Sequence, residues 1–327
     1  MQVHTKFNGE LSFQVWAAES LDEQGNPLPG ALPKQETPFQ PQIITDAFFE
    51  TWLNDTAARL GLFSYCAMGN GTLAATASDT TISQVSTRFP VHTSGTLYTV
   101  GANTITQTIE YRSTQGQVIG VVSEVGLFGS STGGQTMMRS LIKDAGGAAT
   151  SLTLTSMDFI YVKWRVTATV NTSDVTGVIN IGGVNYNYTL RPCHWNLDLT
   201  NNTTTSNPFA VVSNATGVNS YLGFSSASAY ATQTLGSITS GPGGSQYPGW
   251  AFSTNSYTAG TKQRKMTYKW NIDQGNIGSG IGSITIGYNA GLRIGYQISF
   301  AATSDGATIP KDDTKEFTLG ITFSYGR

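Results

Sequence analysis

The feature that most constrains the fold of this chain is a strict alternation of apolar and polar residues. In FIYVKWRVTATV, at 159–170, alternate side chains from Ile160 to Val166 are apolar, and Lys163 and Arg165 lie between them. A two-residue period places apolar side chains on one face of a β-strand, whereas a helix needs a period near 3.6. The same alternation recurs in ELSFQVW (10–16), TITQTIEY (104–111) and EFTLGITFSY (316–325). The sequence therefore predicts an all-β fold with an antiparallel, β-sandwich-like architecture.

The polar part of the sequence is poor in charge. Only 12% of the 327 residues are charged, against about a quarter in typical globular chains. The chain instead has 37 glycines and many Thr, Ser and Asn residues, and 11% of it is aromatic, which suits strands and turns better than helices. The net charge of −2 offers no basic surface to a phosphate backbone, so we expect no nucleic-acid partner.

One segment departs from the two-residue period. In IITDAFFETWLNDTAARLG, at 43–61, Ile44, Phe48 and Trp52 recur every four residues, which is a helical spacing. Thr45 is a suitable N-cap, because its hydroxyl can accept a bond from an unpaired amide of the first turn. We therefore predict one amphipathic helix near 44–60 that covers a sheet or a sheet edge.

The second half of the chain contains a predicted hairpin. VINIGGVNYNYTLR, at 178–191, has two alternating runs around Gly182-Gly183, a pair that can adopt the positive φ angles of a tight turn. The alternation changes register near 171–177, which we take as a domain boundary. We predict two β domains, residues 1–172 and 173–327, and the second carries a long-loop insertion at about 195–265.

The sequence lacks the patterns of common catalytic and cofactor sites. The three histidines have no neighbouring ligand at metal spacing, and no G-x-S-x-G elbow is present. The Gly-rich stretch GNIGSGIGS, at 275–283, precedes a strand rather than a helix, so we predict a loop and not a phosphate cradle. We expect no catalytic residues, no cofactor and no metal, and we predict that the protein is not an enzyme.

The sequence also shows neither a membrane-spanning segment nor a secretion signal. No stretch is long and apolar enough to span a bilayer, and no basic region followed by an apolar run opens the chain. Cys66 and Cys193 form no CxxC or Cys/His motif, so we interpret them as free thiols of a protein made in a reducing cytoplasm.

Three aromatic residues are the candidate contact surface. Tyr247 and Trp250 lie in the Gly/Pro-containing stretch SQYPGWAF, and Tyr257 follows shortly afterwards. Aromatic side chains on such loops can anchor a sugar or a protein. The alternative is a loop that turns its own aromatic side chains inward.

A second pair of candidate residues lies in SEVGLFGSSTGGQTMMRSLI, at 123–142. Two apolar runs flank a Gly-rich loop at 129–135, which predicts a hairpin or two adjacent strands. Antiparallel pairing near the turn would bring Glu124 almost opposite Arg139. We predict a charge pair, at least partly buried, that fixes strand register rather than taking part in chemistry.

Four stretches together resemble virion structural proteins of tailed bacteriophages, of the tail or tail-fibre type. Their order along the chain is a stronger signal than any one of them, and the resemblance covers roughly 40–170 and 265–327. The four segments are FQPQIITDAFFETWL with SYCAMGNGTLAATASDTTIS (39–53 and 64–83), SEVGLFGSSTGGQTMMRSLI (123–142), SMDFIYVKWRVTATV (156–170) and IPKDDTKEFTLGITFSYGR (309–327).

The resemblance implies a structural protein of the virion that is synthesised in the cytoplasm of the host bacterium. We expect a homo-oligomer, with a trimer favoured, that docks to other tail or capsid proteins. A receptor-binding module, whose unmatched segment 195–265 contacts a host-surface glycan, is a second hypothesis. A capsid decoration protein and a polysaccharide-degrading enzyme are a third and a fourth.

Overall fold

The structure of the chain is a computed structural model. It describes all residues except 54–61, 93–96, 102, 194–226, 239, 245, 247–251 and 287–294. The described residues form antiparallel sheets with one α-helix, which confirms the predicted all-β fold.

The chain divides into two compact units. The N-terminal unit contains Lys6–Thr169 and the last three residues, Tyr325–Arg327. The C-terminal unit contains Val170–Ser324 and the first five residues, Met1–Thr5. The division of the main chain at 169–170 is three residues from the predicted boundary, and the exchange of the two termini was not predicted.

The N-terminal unit contains most of the first strand and the eleven that follow it. Strand β1, Gln2–Ala17, begins in the other unit, and β12, Asp158–Val170, ends there. The remaining elements in chain order are β2 (Gln35–Glu36), β3 (Gln40–Ile44), α1 (Asp46–Leu53), β4 (Tyr65–Gly69), β5 (Phe89–Pro90), β6 (Leu97–Val100), β7 (Thr104–Arg112), β8 (Gly120–Val122), β9 (Glu124–Phe128), β10 (Thr136–Leu141) and β11 (Leu152–Leu154).

Antiparallel pairing joins β3 to β1 and β10, β9 to β10 and β4, β4 to β5, and β7 to β6 and β12. Their main order is β1-β3-β10-β9-β4-β5, and β12 pairs with both β1 and β7. Strands β9 and β10 form the predicted hairpin, with a bulge between Thr136 and Met138. All five residues of β9 are buried, and the strand lies between β10 and β4 in the sheet.

Aromatic side chains fill the core of the N-terminal unit. Phe48 and Phe49 of α1 lie edge-on to Phe7 of β1, with ring centroids 5.8 and 6.1 Å away. Phe48 also stacks on Phe63, whose ring centroid is 4.2 Å from that of Trp164 on β12. The apolar side of the helix therefore packs against β1 directly and is linked to β12 through Phe63, which agrees with its amphipathic pattern.

The helix begins later than the sequence predicts. Ile44 ends strand β3, and α1 starts at Asp46. The hydroxyl of Thr45, the predicted N-cap, donates a hydrogen bond to the Thr136 carbonyl oxygen on β10 at 2.7 Å. Ile44, which fits the helical period, is therefore part of a strand, because β3 pairs with β10.

The C-terminal unit contains three groups of strands. Strand β17 lies between β16 and β22, while a five-stranded sheet has the order β13-β14-β20-β19-β15, and β18 pairs with β21. The bounds are β13 (Val175–Ile181), β14 (Val184–Cys193), β15 (Ala227–Tyr230), β16 (Phe252–Tyr257), β17 (Gln263–Trp270), β18 (Ile277–Ile281), β19 (Ser283–Ile286), β20 (Gly295–Ala302), β21 (Ile309–Lys311) and β22 (Phe317–Gly326, whose last two residues belong to the other unit).

The predicted hairpin at 178–191 is present. Ile181 pairs with Val184 across Gly182 and Gly183, whose φ angles are +59° and +88°. Positive φ at both central residues is the requirement of a primed two-residue turn, which glycine meets without steric cost. The prediction from the Gly-Gly pair is therefore confirmed.

Three strands lie where the sequence predicts loops. Strands β15 and β16 fall inside the predicted insertion at 195–265, and β18 falls inside the Gly-rich stretch 275–283. Their sequences, ASAY, FSTNSY and IGSGI, lack a continuous apolar face, so pairing with β19, β17 and β21 determines their conformation. The prediction of a loop for the whole of 275–283 is wrong.

Candidate functional site

The candidate site of the N-terminal unit lies on the β9–β10 hairpin. Glu124 opens β9 opposite Leu141, and Arg139 on β10 lies opposite Gly126. The two charged residues are therefore diagonal neighbours, two positions from direct opposition, and the sequence predicted them almost opposite. Diagonal neighbours remain within reach of a long side chain such as arginine.

The structure brings the two predicted residues together as a buried ion pair. The Arg139 Nε donates to Glu124 Oε2 at 2.7 Å. The Glu124 side chain is 0% exposed and that of Arg139 is 8% exposed. Because both charges are removed from water, each depends on the polar groups that the fold places around it.

The second oxygen of Glu124 holds a long loop. Its Oε1 accepts hydrogen bonds from the backbone N–H of Gly71 at 3.0 Å and of Ser83 at 2.6 Å. Both residues belong to the segment between β4 and β5, which we call loop 70–88. One carboxylate thus bonds an arginine from the hairpin and two amides that lie twelve residues apart in the loop.

Arg139 binds the same loop through its other nitrogens. Its Nη2 donates to the Leu73 carbonyl oxygen at 2.8 Å, and its Nη1 donates to Asp79 Oδ2 at 2.6 Å. The Asp79 carboxylate also accepts bonds from the backbone N–H and the hydroxyl of Thr76, at 2.8 and 2.7 Å. We call Glu124, Arg139 and Asp79 the charge cluster.

The electrostatics around Asp79 and Arg139 favour the ionised forms of these two side chains. Burial alone would raise the pKa of the Asp79 carboxyl, but the bonds from Thr76 and the Arg139 guanidinium outweigh it and lower that pKa. Burial would likewise lower the pKa of Arg139, but hydrogen bonds to Asp79 and Glu124 raise it instead. Asp79 and Arg139 therefore favour their charged forms, because each has an opposite charge and hydrogen bonds beside it.

Two glycines leave room for the buried carboxylate. A Cβ at Gly69 would lie 2.7 Å from Glu124 Oε1, and a Cβ at Gly71 would overlap the same oxygen. Neither distance is possible for a real methyl group without displacement of the carboxylate. Gly69 and Gly71, in the sequence MGNGT, are thus needed because only glycine leaves room for the Glu124 carboxylate.

The far end of the loop is tied to the hairpin's own turn. The Arg88 guanidinium lies 3.5 Å from the Phe128 ring centroid, and its Nη1 donates to the Ser130 and Gly133 carbonyl oxygens at 2.8 and 2.5 Å. Charge-assisted bonds and the cation–π contact hold the turn and the loop together. Loop 70–88 is therefore fixed near both of its ends.

This arrangement is suited to holding a loop rather than to reacting with a bound molecule. Glu124 has no exposed surface, and every nitrogen of the Arg139 guanidinium already donates to an oxygen. Sequence reasoning identified Glu124 and Arg139 but missed Asp79. The stretch TASD was a usable signal, since Thr and Asp three residues apart commonly form a side-chain-stabilised turn.

The predicted aromatic contact surface is described only in part. Tyr247 and Trp250 lie outside the described residues. Tyr257 ends β16, where it pairs with Arg264 on β17, and its side chain is half-buried. The structure therefore places Tyr257 on a strand rather than on a loop.

A cleft in the C-terminal unit surrounds a buried lysine. It has a volume of about 480 Å³ and lies between 276–280 and 308–313. Lys311 is 3% exposed, and its Nζ donates to Asn276 Oδ1 at 2.5 Å and to the Asp312 carbonyl oxygen at 2.9 Å. Burial lowers the pKa of Lys311, against the effect of nearby carboxylates. The ammonium binds backbone and side-chain oxygens that link β18 to β21.

The described residues contain no cluster of three or more His, Cys, Asp or Glu side chains placed to hold a metal ion. Both cysteines are free and buried. Burial raises the pKa of Cys66, and it raises that of Cys193 to about 12. Buried neutral thiols are poor nucleophiles and metal ligands.

Comparisons of the chain with protein-family models, with curated proteins and with solved structures found no match. Within the described part of the chain, no helix is both long and apolar enough to cross a membrane.

Proposed function

We propose that this protein is a structural component of a tailed-phage virion, a tail or tail-fibre protein that forms homo-oligomers and docks to other virion proteins. The observation that carries the proposal is where the four phage-like segments lie. They are dispersed over nearly the whole chain, yet each contributes to the N-terminal unit.

The first two segments interlock strand by strand. Strands β3 and β4 come from the first segment, and they flank the β9–β10 hairpin of the second segment on both sides. The charge cluster joins the same two segments, because Asp79 belongs to the first and both Glu124 and Arg139 belong to the second. The residues that carry the resemblance are thus the residues that build one site.

The last segment reaches the same region through its final residue. The Arg327 guanidinium donates to the Ile44 carbonyl oxygen at 2.5 Å and forms an ion pair with Asp46 at the start of α1. The third segment contributes β12, whose Trp164 packs near α1 through Phe63. All four segments thus contribute residues to the N-terminal unit, which supports the proposal.

The surface of the chain also suits an assembled subunit. Only 12% of the residues are charged, so the chain can bury surface against neighbours without stranding many ions. Several large apolar side chains of the described residues face solvent. These include Leu32, Leu73, Ile119, Val121, Met157 and Val178, each more than half exposed.

Purified particles test the proposal. Mass spectrometry of the virus particles encoded by the same genome should detect this chain, and immunogold electron microscopy should place it on the tail. Label on the capsid shell would favour capsid decoration instead. Absence of the chain from purified particles would overturn the proposal.

A further inference from the structure

Strand β13 is an exposed edge of the five-stranded sheet. It pairs with β14 on one side, and no described strand pairs with its other side. None of its seven residues is buried, and Val178 at its centre is 60% exposed. Among the described residues, the backbone N–H and C=O groups on the outer side of β13 therefore have no strand partner along about 24 Å.

The strand lacks the features that usually protect an edge. Soluble proteins block such edges with lysine, proline or inward-pointing charge. The sequence of β13, VTGVINI, contains neither charge nor proline and is rich in β-branched residues. The charged residue that precedes β13 is Asp174. Its carboxylate forms a bidentate ion pair with Arg191 on β14, with both N–O distances 2.6 Å.

We propose that the outer edge of β13 pairs antiparallel with β13 of a second copy of this chain. The inference rests on the homo-oligomer of the proposed function and names the surface that forms it. Pairing of two five-stranded sheets at this edge would make one sheet of ten strands. Backbone hydrogen bonds would supply the contact, as they do when a strand is added to an open sheet.

The edge is complementary to itself when all seven residues pair. Val178 then lies opposite the Val178 of the second copy, and Val175 lies opposite Ile181. On the outer face Thr176 meets Asn180, so no two like charges are opposed. Asp174 falls opposite Gly182, and its charge is already neutralised by Arg191.

This contact has two-fold symmetry, since the same surface serves both partners. It predicts a dimer, or a larger assembly with an even number of chains. A stable trimer, the state that the sequence resemblance favours, does not arise from this contact alone.

Cysteine cross-linking tests the pairing at the level of single residues. Val178→Cys should give a disulfide-linked dimer on mild oxidation of the full chain, because directly opposed Cα atoms of antiparallel strands are about 4.5–5.5 Å apart. Thr176→Cys is the matched control on the same face of the same strand. Its two copies would be about 14 Å apart, beyond disulfide reach, so it should stay monomeric on a non-reducing gel. Equal cross-linking of both variants, or of neither, would overturn the pairing.

Light scattering after size-exclusion chromatography separates this inference from the proposed function. The wild-type chain should show an even multiple of its monomer mass. Val178→Lys, which opposes two like charges, should shift that mass toward the monomer while its circular dichroism spectrum is unchanged. If Val178→Lys remained oligomeric, the β13–β13 pairing would be wrong, but the proposed homo-oligomer would still be supported. A monomeric wild-type chain would contradict both the β13–β13 pairing and self-association. The detection of the chain in purified particles tests the virion role independently of this result.

Discussion

Two carboxylates, Glu124 and Asp79, share the single guanidinium of Arg139. Arg139→Met keeps much of the side-chain volume but leaves both carboxylates without their cation. Removal of one partner from a buried ion pair typically costs about 3–5 kcal/mol. We expect a loss of that size in the free energy of unfolding, measured by urea denaturation of the full chain.

Arg191→Met is the matched control for that substitution. Its ion pair with Asp174 is about one-third exposed on both sides, and such surface pairs contribute roughly 1 kcal/mol or less. Equal losses for the two variants would show that the charge cluster does not stabilise the fold more than a surface ion pair.

The space around Glu124 gives a second prediction at the residue scale. In Gly71→Ala the new methyl group must displace the Glu124 carboxylate from its two backbone amides. We expect a loss of about 1–3 kcal/mol, the usual range for overpacking. Gly278→Ala is the control, because a Cβ there meets no atom within 4 Å. If Gly71→Ala and Gly278→Ala had the same thermal midpoint, the role assigned to Gly71 would be wrong.

The lowered pKa of Asp79 makes part of the stability depend on pH. A carboxyl whose folded-state pKa lies below its unfolded value of 3.8 stabilises the fold above that pH, and the contribution is lost as the pH falls through the folded-state pKa. The stability difference between wild type and Asp79→Asn should therefore be constant near neutral pH and shrink below about pH 4. A difference that shrinks already between neutral pH and about pH 5 would contradict this assignment.

At this scale the sequence could predict only part of the charge cluster. Glu124 and Arg139 are connected by one short turn, so hairpin register brings them close to each other. Asp79 is 60 residues from Arg139, and its place depends on a loop that has no periodic pattern. Side-chain bonds to loop carbonyls, such as that of Leu73, leave no signal in the sequence.

At the scale of elements, helix α1 is held by what it packs against rather than by its own length. It has eight described residues, and isolated helices that short are not stable in water. Phe49 is 0% exposed and lies edge-on to Phe7 and Phe48. Its burial was not predicted, since the four-residue period selects Ile44, Phe48 and Trp52.

Phe49→Ala should therefore lower the free energy of unfolding by about 3–5 kcal/mol through loss of burial and the cavity left behind. Leu32→Ala is the control, because that side chain is 81% exposed and should change stability little. Thermal unfolding followed by circular dichroism measures both. A small effect of Phe49→Ala would mean that the helix does not contribute to the core.

Strands with one buried face were predictable, and strands without one were not. Strands β12 and β22 bury alternate residues, as the two-residue period requires. Strands β15, β16 and β18 are short or polar, and their partners are set by tertiary pairing. Ile44 was assigned to the helix for a related reason, since its spacing from Phe48 fits a helix although β3 pairs with β10.

At the scale of the whole molecule, a charge-poor, β-rich chain needs protection at its open sheet edges. The hairpin β13–β14 leaves one such edge without charge or proline, and the charge-poor surface offers little repulsion between copies. The charge cluster lies in the N-terminal unit, whereas β13 lies in the C-terminal unit. We therefore propose a division of roles, in which the N-terminal unit carries the charge cluster and the C-terminal unit carries the edge that pairs with a second copy.

Cryo-electron microscopy of the intact virus particle would show whether this chain is part of the phage tail. We expect tail density into which this chain can be traced, with the β9–β10 hairpin and loop 70–88 recognisable by the Arg139 contacts. We also expect that copies meet along β13. Tail density that is fully explained by other chains, in particles that lack this one, would contradict the account.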